Sequence, residues 1–120
     1  MRTDNIIREK TYSFALRVIK MYRYIVKEKK EYVISKQLLR SGTSIGANIE
    51  EGCSAQSRKD FINKLSIAQK EAYETRYWFK LLRDSGIIEI VYVESMLKDY
   101  EEIIKVISKI LITTKKNNKL

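Results

Sequence analysis

With 120 residues, the chain is long enough to bury one core and too short for two domains. Its 44% hydrophobic and 32% charged residues exclude a disordered chain, and its apolar runs are too short to span a bilayer. The N-terminus lacks the apolar segment of a secretory signal, and the single cysteine cannot form an internal disulfide, so we expect a cytoplasmic protein. The net charge of +9 favours polyanionic partners such as nucleic acids, although a role in solubility explains it equally well.

Helical periodicity runs through the chain in four segments. We expect helices at about residues 4–29, 32–51, 57–85 and 90–113, followed by a basic tail at 115–120 that frays. The apolar residues recur every three or four positions, which is typical of helices packed side by side. Short connections then favour an all-α, antiparallel up-down-up-down four-helix bundle over residues 1–114.

The apolar stripes define the expected core. In the first helix the stripe is Ile7, Phe14, Val18, Met21 and Ile25. In the third it is Phe61, Leu65, Ala68, Ala72, Thr75, Phe79 and Leu82, and in the fourth Val93, Leu97, Tyr100, Ile104, Ile107 and Leu111. We expect Ser57 to cap the start of the third helix and Ser85-Gly86 to end it.

The second helix contains two glycines, Gly42 and Gly46, each of which should cost about 1 kcal/mol relative to alanine. Together with Ser44 they form a face of small residues that a neighbouring helix can approach closely. A phosphate-binding loop would need a strand-to-helix junction and a following Lys-Ser/Thr pair, and the sequence has neither. We therefore interpret this segment as a packing face, with Gly52 ending the helix in a left-handed cap.

Polar residues of the second and third helices predict a network that fixes the helix register. Arg40, Asn48 and Glu51 lie on the second helix, and Glu71 and Glu74 on the third. The alternative is a hard-cation or acid–base site built from the three glutamates. Because the chain has no histidine, the carboxylate–histidine di-iron pattern is excluded. We expect no metal, no cofactor and no catalytic residue, and hence a protein that is not an enzyme.

The first helix carries the best candidate for a binding site. Basic residues alternate there with a tyrosine, a composition typical of surfaces that bind RNA or single strands. The candidate nucleic-acid-binding residues are Arg17, Lys20, Arg23, Tyr24, Lys27, Lys29 and Lys30. Lys115, Lys116 and Lys119 would extend the same basic surface. A solvated helix face has a similar composition, so that alternative stays open.

Helices 3 and 4 carry more apolar residues than one core requires, which predicts a second buried surface. Self-association is the simpler explanation, and a scaffold that binds a protein partner is the alternative. The surplus residues are Ile62, Ile67, Tyr73, Tyr77 and Trp78 on the third helix and Ile90, Tyr92, Ile103, Val106 and Ile110 on the fourth.

Four runs, at 37–40, 44–52, 57–61 and 68–78, resemble the 23S rRNA intervening-sequence protein family of bacterial four-helix bundles. The runs include Arg40, Ser44, Gly46, Asn48, Glu51, Gly52, Glu71, Glu74 and Trp78. The connection between helices 1 and 2 lacks the proline of many members, and Glu50 stands where alanine is frequent. The resemblance implies a homopentamer with no catalytic motif. A related group, the accessory variability determinants of diversity-generating retroelements, implies a reverse transcriptase and nucleic acid as partners.

Overall fold

The computed structural model describes residues 2–118, and residues 1, 119 and 120 lie outside that range. Within it the chain forms a four-helix bundle without a strand, measuring 51 × 21 × 20 Å, which confirms the all-α prediction. The helices are α1 (Arg2–Tyr24), α2 (Ile34–Cys53), α3 (Arg58–Asp84) and α4 (Ile90–Asn118), and a π-helical turn, here called π1, continues α1 over Ile25–Lys29. α2 packs between α1 and α3, and α4 packs on α3 and α1. No helix of this range is both long and apolar enough to cross a membrane.

The core confirms the predicted stripe of α1, all of whose members are buried, and the stripe of α3 apart from the half-buried Phe61. The stripe of α4 differs from the prediction. Met96, Ile103 and Ile110 are buried, whereas Leu97 and Ile104 are half-buried. Apolar residues spaced three and then four positions apart have the same average period as residues spaced four and then three apart. Periodicity alone therefore does not determine which side of the helix faces the core. Ile103 and Ile110, predicted to form a second surface, therefore belong to the core.

Gly52 does not end α2 in a left-handed cap. The helix continues through it to Cys53, and the following Ser54 has φ −98°. A Cβ atom at Gly52 would lie 2.8 Å from Leu65 Cδ1 and 3.2 Å from Lys64 Cβ. Glycine is therefore favoured here because the Leu65 and Lys64 side chains of α3 lie against the backbone of α2. Positive φ occurs instead at Lys30, at 55°, and at Gly86, at 78°.

The predicted ends of α3 are confirmed. The Asp60 amide donates to Ser57 Oγ at 3.1 Å, and the chain turns at Ser85 and Gly86 after the last helical residue. α4 runs past its predicted end at residue 113 to Asn118. Lys115 and Lys116 lie in its last turn, where positive charge interacts favourably with the helix dipole, so this basic segment extends the helix. Residues 119–120 of the predicted tail, and with them Lys119, lie outside the described residues.

Glu31 caps the start of α2. Its carboxylate accepts hydrogen bonds from the amides of Val33 and Ile34, both at 2.9 Å, and of Ser35 at 2.8 Å. Burial by itself would raise the pKa of the Glu31 carboxyl, but these three amides stabilise the charged form and lower the pKa below its ordinary value. One side chain thus satisfies three amides that no helical carbonyl reaches.

Glu31→Ala should lower the free energy of unfolding by about 1–2 kcal/mol near neutral pH, because it removes this cap. Since the folded-state pKa lies below the unfolded value, the contribution is present above about pH 4 and is lost as the pH falls through the folded-state pKa. Urea unfolding of both proteins across this range measures the difference. Glu28→Ala, which removes an exposed glutamate in π1, is the control. A difference that stays constant at acid pH would contradict this role.

Candidate nucleic-acid interface

Basic residues on two sides of α1 are neutralised by the neighbouring helices. Arg8 donates to both carboxylate oxygens of Glu50 on α2, at 2.9 and 3.1 Å. Lys10 Nζ lies 3.2 Å from Glu102 Oε2 on α4. Because their charges are already paired within the bundle, Arg8 and Lys10 attract an external polyanion less strongly.

Arg17, a predicted site residue, is paired in the same way. Its guanidinium contacts the carboxylate of Asp99 and donates to Ser95 Oγ at 2.9 Å, both on α4. It lies seven residues after Lys10 in the sequence, so both face the same neighbouring helix. Arg17 therefore contributes to the packing of α1 on α4.

Tyr24 and Lys29, two further predicted site residues, meet at Glu89, just before α4. The Tyr24 hydroxyl lies 2.9 and 3.0 Å from the two oxygens of Glu89, and Lys29 Nζ contacts the same carboxylate. The hydrogen bond to Glu89 and burial raise the pKa of Tyr24, and the hydrogen bond from Lys29 lowers the pKa of Glu89. The edge of Tyr92 packs on Tyr24 with ring centroids 5.6 Å apart. We call these four residues the Glu89 cluster.

π1 explains why two residues five positions apart share one carboxylate. In an α-helix, residues at i and i+5 point in different directions, whereas the i→i+5 bonding of a π-helix brings them into line. Lys29 thus lies beneath Tyr24, with Nζ 5.7 Å from the centre of the ring. The α-helical period places Tyr24 and Lys29 on different sides of the helix, so it does not predict Glu89 as their shared partner. The missing signal is the change of period at the end of α1.

The remaining four predicted residues, Lys20, Arg23, Lys27 and Lys30, are exposed. None of them forms a hydrogen bond or an ion pair with any side chain that the structure describes. Lys20 and Arg23 follow the exposed Leu16 at spacings of four and three on the solvent side of α1, Lys27 lies in π1, and Lys30 directly follows π1. We call these four residues the unpaired basic stripe.

Part of the predicted network forms between α2 and α3. Arg40 contacts the carboxylate of Glu74 and lies 3.4 Å from Glu71 Oε2. Trp78 Nε1 donates to the same Glu74 oxygen at 2.9 Å. The half-buried indole and the guanidinium thus share one carboxylate, which links the register of α2 to that of α3.

Asn48 and Glu51 are not part of this network. The Asn48 amide donates to the Ser44 carbonyl of its own helix at 2.9 Å, and Glu51 pairs with Lys64 at the same distance. The three glutamates of the hypothetical cation site are therefore not gathered together. Across residues 2–118, no three His, Cys, Asp or Glu side chains are arranged to hold a metal ion. Burial raises the pKa of the Cys53 thiol, which disfavours a reactive thiolate there.

The small residues of α2 serve two different neighbours. A Cβ at Gly42 would lie 2.8 Å from Val18 Cγ1 on α1, and one at Gly46 would lie 3.4 Å from the Thr11 carbonyl oxygen. Ser41 is buried on the other side of α2, where its hydroxyl accepts a hydrogen bond from the hydroxyl of Thr75 on α3 at 3.0 Å. Close packing explains these residues without a ligand.

Part of the apolar surface left outside the core lies on α3 and α4. Tyr73, Tyr77 and Ile112 are exposed, and Tyr73 and Ile112 line a groove of about 650 Å³ between the two helices. Tyr100 lies at the base of this groove, where burial raises the pKa of its hydroxyl to about 12. This hydroxyl is therefore neutral across the physiological range.

Two comparisons with known proteins agree with this fold. The model of the family described as 23S rRNA-intervening sequence protein matches residues 3–109. A crystal structure of a protein with unknown function from the S23 ribosomal protein family of Bacteroides thetaiotaomicron VPI-5482 is 51% identical in sequence, with a TM-score of 0.89. The match covers 91% of this chain and 97% of that chain. No curated protein matches the chain. The chain belongs to the 23S rRNA-intervening sequence protein family.

Proposed function

We propose that the chain is a non-enzymatic cytoplasmic protein that binds RNA or DNA through the unpaired basic stripe of α1. The observation that supports this function is that some basic residues of α1 and π1 are paired with carboxylates and others are not. The basic residues that face α2, α4 or the Glu89 cluster have carboxylate partners, whereas Lys20, Arg23, Lys27 and Lys30 have none among the described residues. Unpaired lysines and arginines along one exposed stripe are suited to contact successive phosphates.

We further propose that the bundle is antiparallel and assembles as a homopentamer. Arg8, early in α1, pairs with Glu50, late in α2. Lys10 pairs with Glu102 on α4, whereas the later Arg17 pairs with the earlier Asp99. These pairs support neighbours of α1 that run opposite to it. The exposed apolar groups on α3 and α4 would supply contacts between copies. Assembly would bring several basic stripes together, which multiplies a modest affinity without any new contact.

Exposed apolar surface on α3 and α4 also supports a second candidate, a scaffold that binds a protein partner such as a reverse transcriptase. Tyr73 and Tyr77 lie one turn apart on α3 and are about half exposed. A protein partner on this face would leave the unpaired basic stripe of α1 free. The two candidates therefore predict different effects of changes on α1.

Lys20→Glu combined with Lys27→Glu should abolish nucleic-acid binding at physiological salt, because two phosphate contacts become repulsive. For the unaltered protein we expect the logarithm of the binding constant to fall steeply with the logarithm of salt concentration. At low salt, where residual binding is measurable, the slope for the double variant should be smaller by about two. Fluorescence anisotropy with a labelled oligonucleotide over a salt series measures both effects.

Lys98→Glu with Lys105→Glu is the matched control, since it makes the same change in net charge at the same spacing on α4. Both of these lysines are exposed. The control should lose far less affinity than the α1 variant. Equal losses in the two variants would show that total charge matters and the stripe does not. Full affinity in the α1 variant would refute the site.

A further inference from the structure

We propose that the end of the bundle next to the Glu89 cluster is a stacking platform for unpaired bases, so that the nucleic acid bound there is single-stranded. This inference rests on the proposed function and specifies its ligand. The unpaired basic stripe would hold the phosphates, and exposed tyrosine rings at its end would hold the bases.

Two exposed rings lie at this end of the molecule. Tyr32, in the connection between π1 and α2, is 57% exposed, and Tyr92, in the first turn of α4, is 48% exposed. The contacts of Tyr24 with Tyr92 and of Lys29 with Glu89 bring the two connections to the same end of the bundle. The rings therefore lie at the same end of the bundle although they are far apart in the sequence.

The aliphatic residues next to these rings in the sequence are also exposed. Val33 follows Tyr32 directly, and Ile90 and Val91 precede Tyr92; all three are more than 60% exposed. Five large apolar side chains are thus exposed at one end of the molecule, and such a surface is suited to bind a partner. A flat base matches such a surface, because it presents an apolar face to the rings and polar edges to water.

The charges beside this surface favour nucleic acid over a neutral apolar partner. Lys27 and Lys30 are exposed and unpaired, and Lys30 is only two residues from Tyr32. Two carboxylates lie beside the rings: Glu89 is held by Lys29 and Tyr24, and Glu31 accepts three amide hydrogen bonds at the start of α2, so both charges are partly offset. An incoming strand would therefore meet positive charge next to exposed rings.

Base pairing would prevent this mode of binding. In a duplex the faces of the bases are stacked on each other inside the helix, so a protein ring at its surface cannot reach them. Phosphates are available in both forms. The unpaired basic stripe alone predicts similar binding of single strands and duplexes, whereas the platform predicts a preference for the single strand.

The test compares an oligothymidine strand of about 16 nucleotides with an abasic strand of the same length and with a blunt duplex. We expect the unaltered protein to bind the oligothymidine most tightly. Tyr92→Ala and Tyr32→Ala should each weaken that binding by about 5- to 100-fold, the range measured for loss of one stacked base. Tyr92→Phe and Tyr32→Phe retain the ring and should bind like the unaltered protein. Binding of the abasic strand should not change in any of the four variants.

Tyr32→Ala provides the cleaner result, because Tyr32 makes no ring contact with the described residues, whereas Tyr92 packs on Tyr24. Equal affinity for the single strand and the duplex would overturn the platform. Unchanged affinity in both alanine variants would also overturn it. In either case, loss of binding in the Lys20→Glu, Lys27→Glu protein would leave the proposed function standing. If the unaltered protein binds no strand at low salt, the proposed function itself is refuted.

Discussion

Gly42→Val should lower the free energy of unfolding by about 3 kcal/mol, although valine is the better helix former. Gly42 is buried, and a Cβ there would lie 2.8 and 2.9 Å from the two γ carbons of Val18. Val18 is fully buried and stiff at χ1, so it cannot turn away. The added side chain must push α1 away from α2. Urea unfolding monitored by circular dichroism measures the loss.

Gly46→Ala is the control for this prediction. The nearest atom to a Cβ at Gly46 is the Thr11 carbonyl oxygen at 3.4 Å, which is an ordinary contact distance. Because alanine gains up to about 1 kcal/mol in helix propensity, this variant should be neutral or slightly more stable. Val18→Ala added to Gly42→Val should recover part of the loss by making room. Similar losses at the two glycines would contradict the close approach at Gly42.

Phe79→Ala should lower the free energy of unfolding by about 3–5 kcal/mol, the largest effect that we expect from a single side chain. Phe79 is fully buried, and its ring meets Phe14 edge to face with centroids 6.2 Å apart. The substitution leaves a cavity at the contact between α1 and α3. Denaturant unfolding compares it with Tyr77→Ala, which removes an exposed ring from the same helix and should cost much less.

A double-mutant cycle between Phe14 and Phe79 separates ring pairing from burial. Each alanine substitution alone and both together should give a coupling free energy of about 0.5–1.5 kcal/mol. A coupling near zero would mean that the rings contribute through burial alone. A loss below about 1 kcal/mol in Phe79→Ala would contradict its place at the centre of the core.

The sequence predicts the core to the extent that burial repeats with the helical period. Phe14, Val18 and Phe79 could be assigned to the core because apolar residues recur there at three- and four-residue steps. Met96 and Ile103 could not, since shifting the stripe of α4 by one position leaves the period unchanged. The rotation of α4 is decided by its contacts with α3 and α1, which a single segment of sequence does not contain.

Gly52 illustrates a second limit. A glycine near the end of a helix is equally consistent with a left-handed backbone and with a close neighbour. The sequence does not show that Leu65 lies against that position, whereas the structure does, so the close neighbour is the correct explanation. The same limit applies to Asn48, because its position in the sequence is as consistent with a network between helices as with the bond that its amide donates to the Ser44 carbonyl.

The sequence predicts which residue types form the candidate interface, but it does not predict which of those residues are free to bind a ligand. Seven residues could be selected because basic side chains and a tyrosine cluster in one helix. Which of them are free depends on carboxylates supplied from elsewhere in the chain, such as Asp99 for Arg17 and Glu89 for Lys29. Pairing across helices is a property of the folded chain, and it reduces the candidate surface to four residues.

A π-helical turn holds one residue more than the α-helical turn that it replaces, so π1 is what a helix becomes when it accepts a one-residue insertion. Ile25 remains buried at the start of π1, so the extra residue is absorbed beyond the last core position of the first helix. The distance in sequence between the core of α1 and the start of α2 is therefore adjustable at this one turn. A one-residue change of length at this turn would therefore alter this end of the molecule while the core positions of α1 before it keep their register.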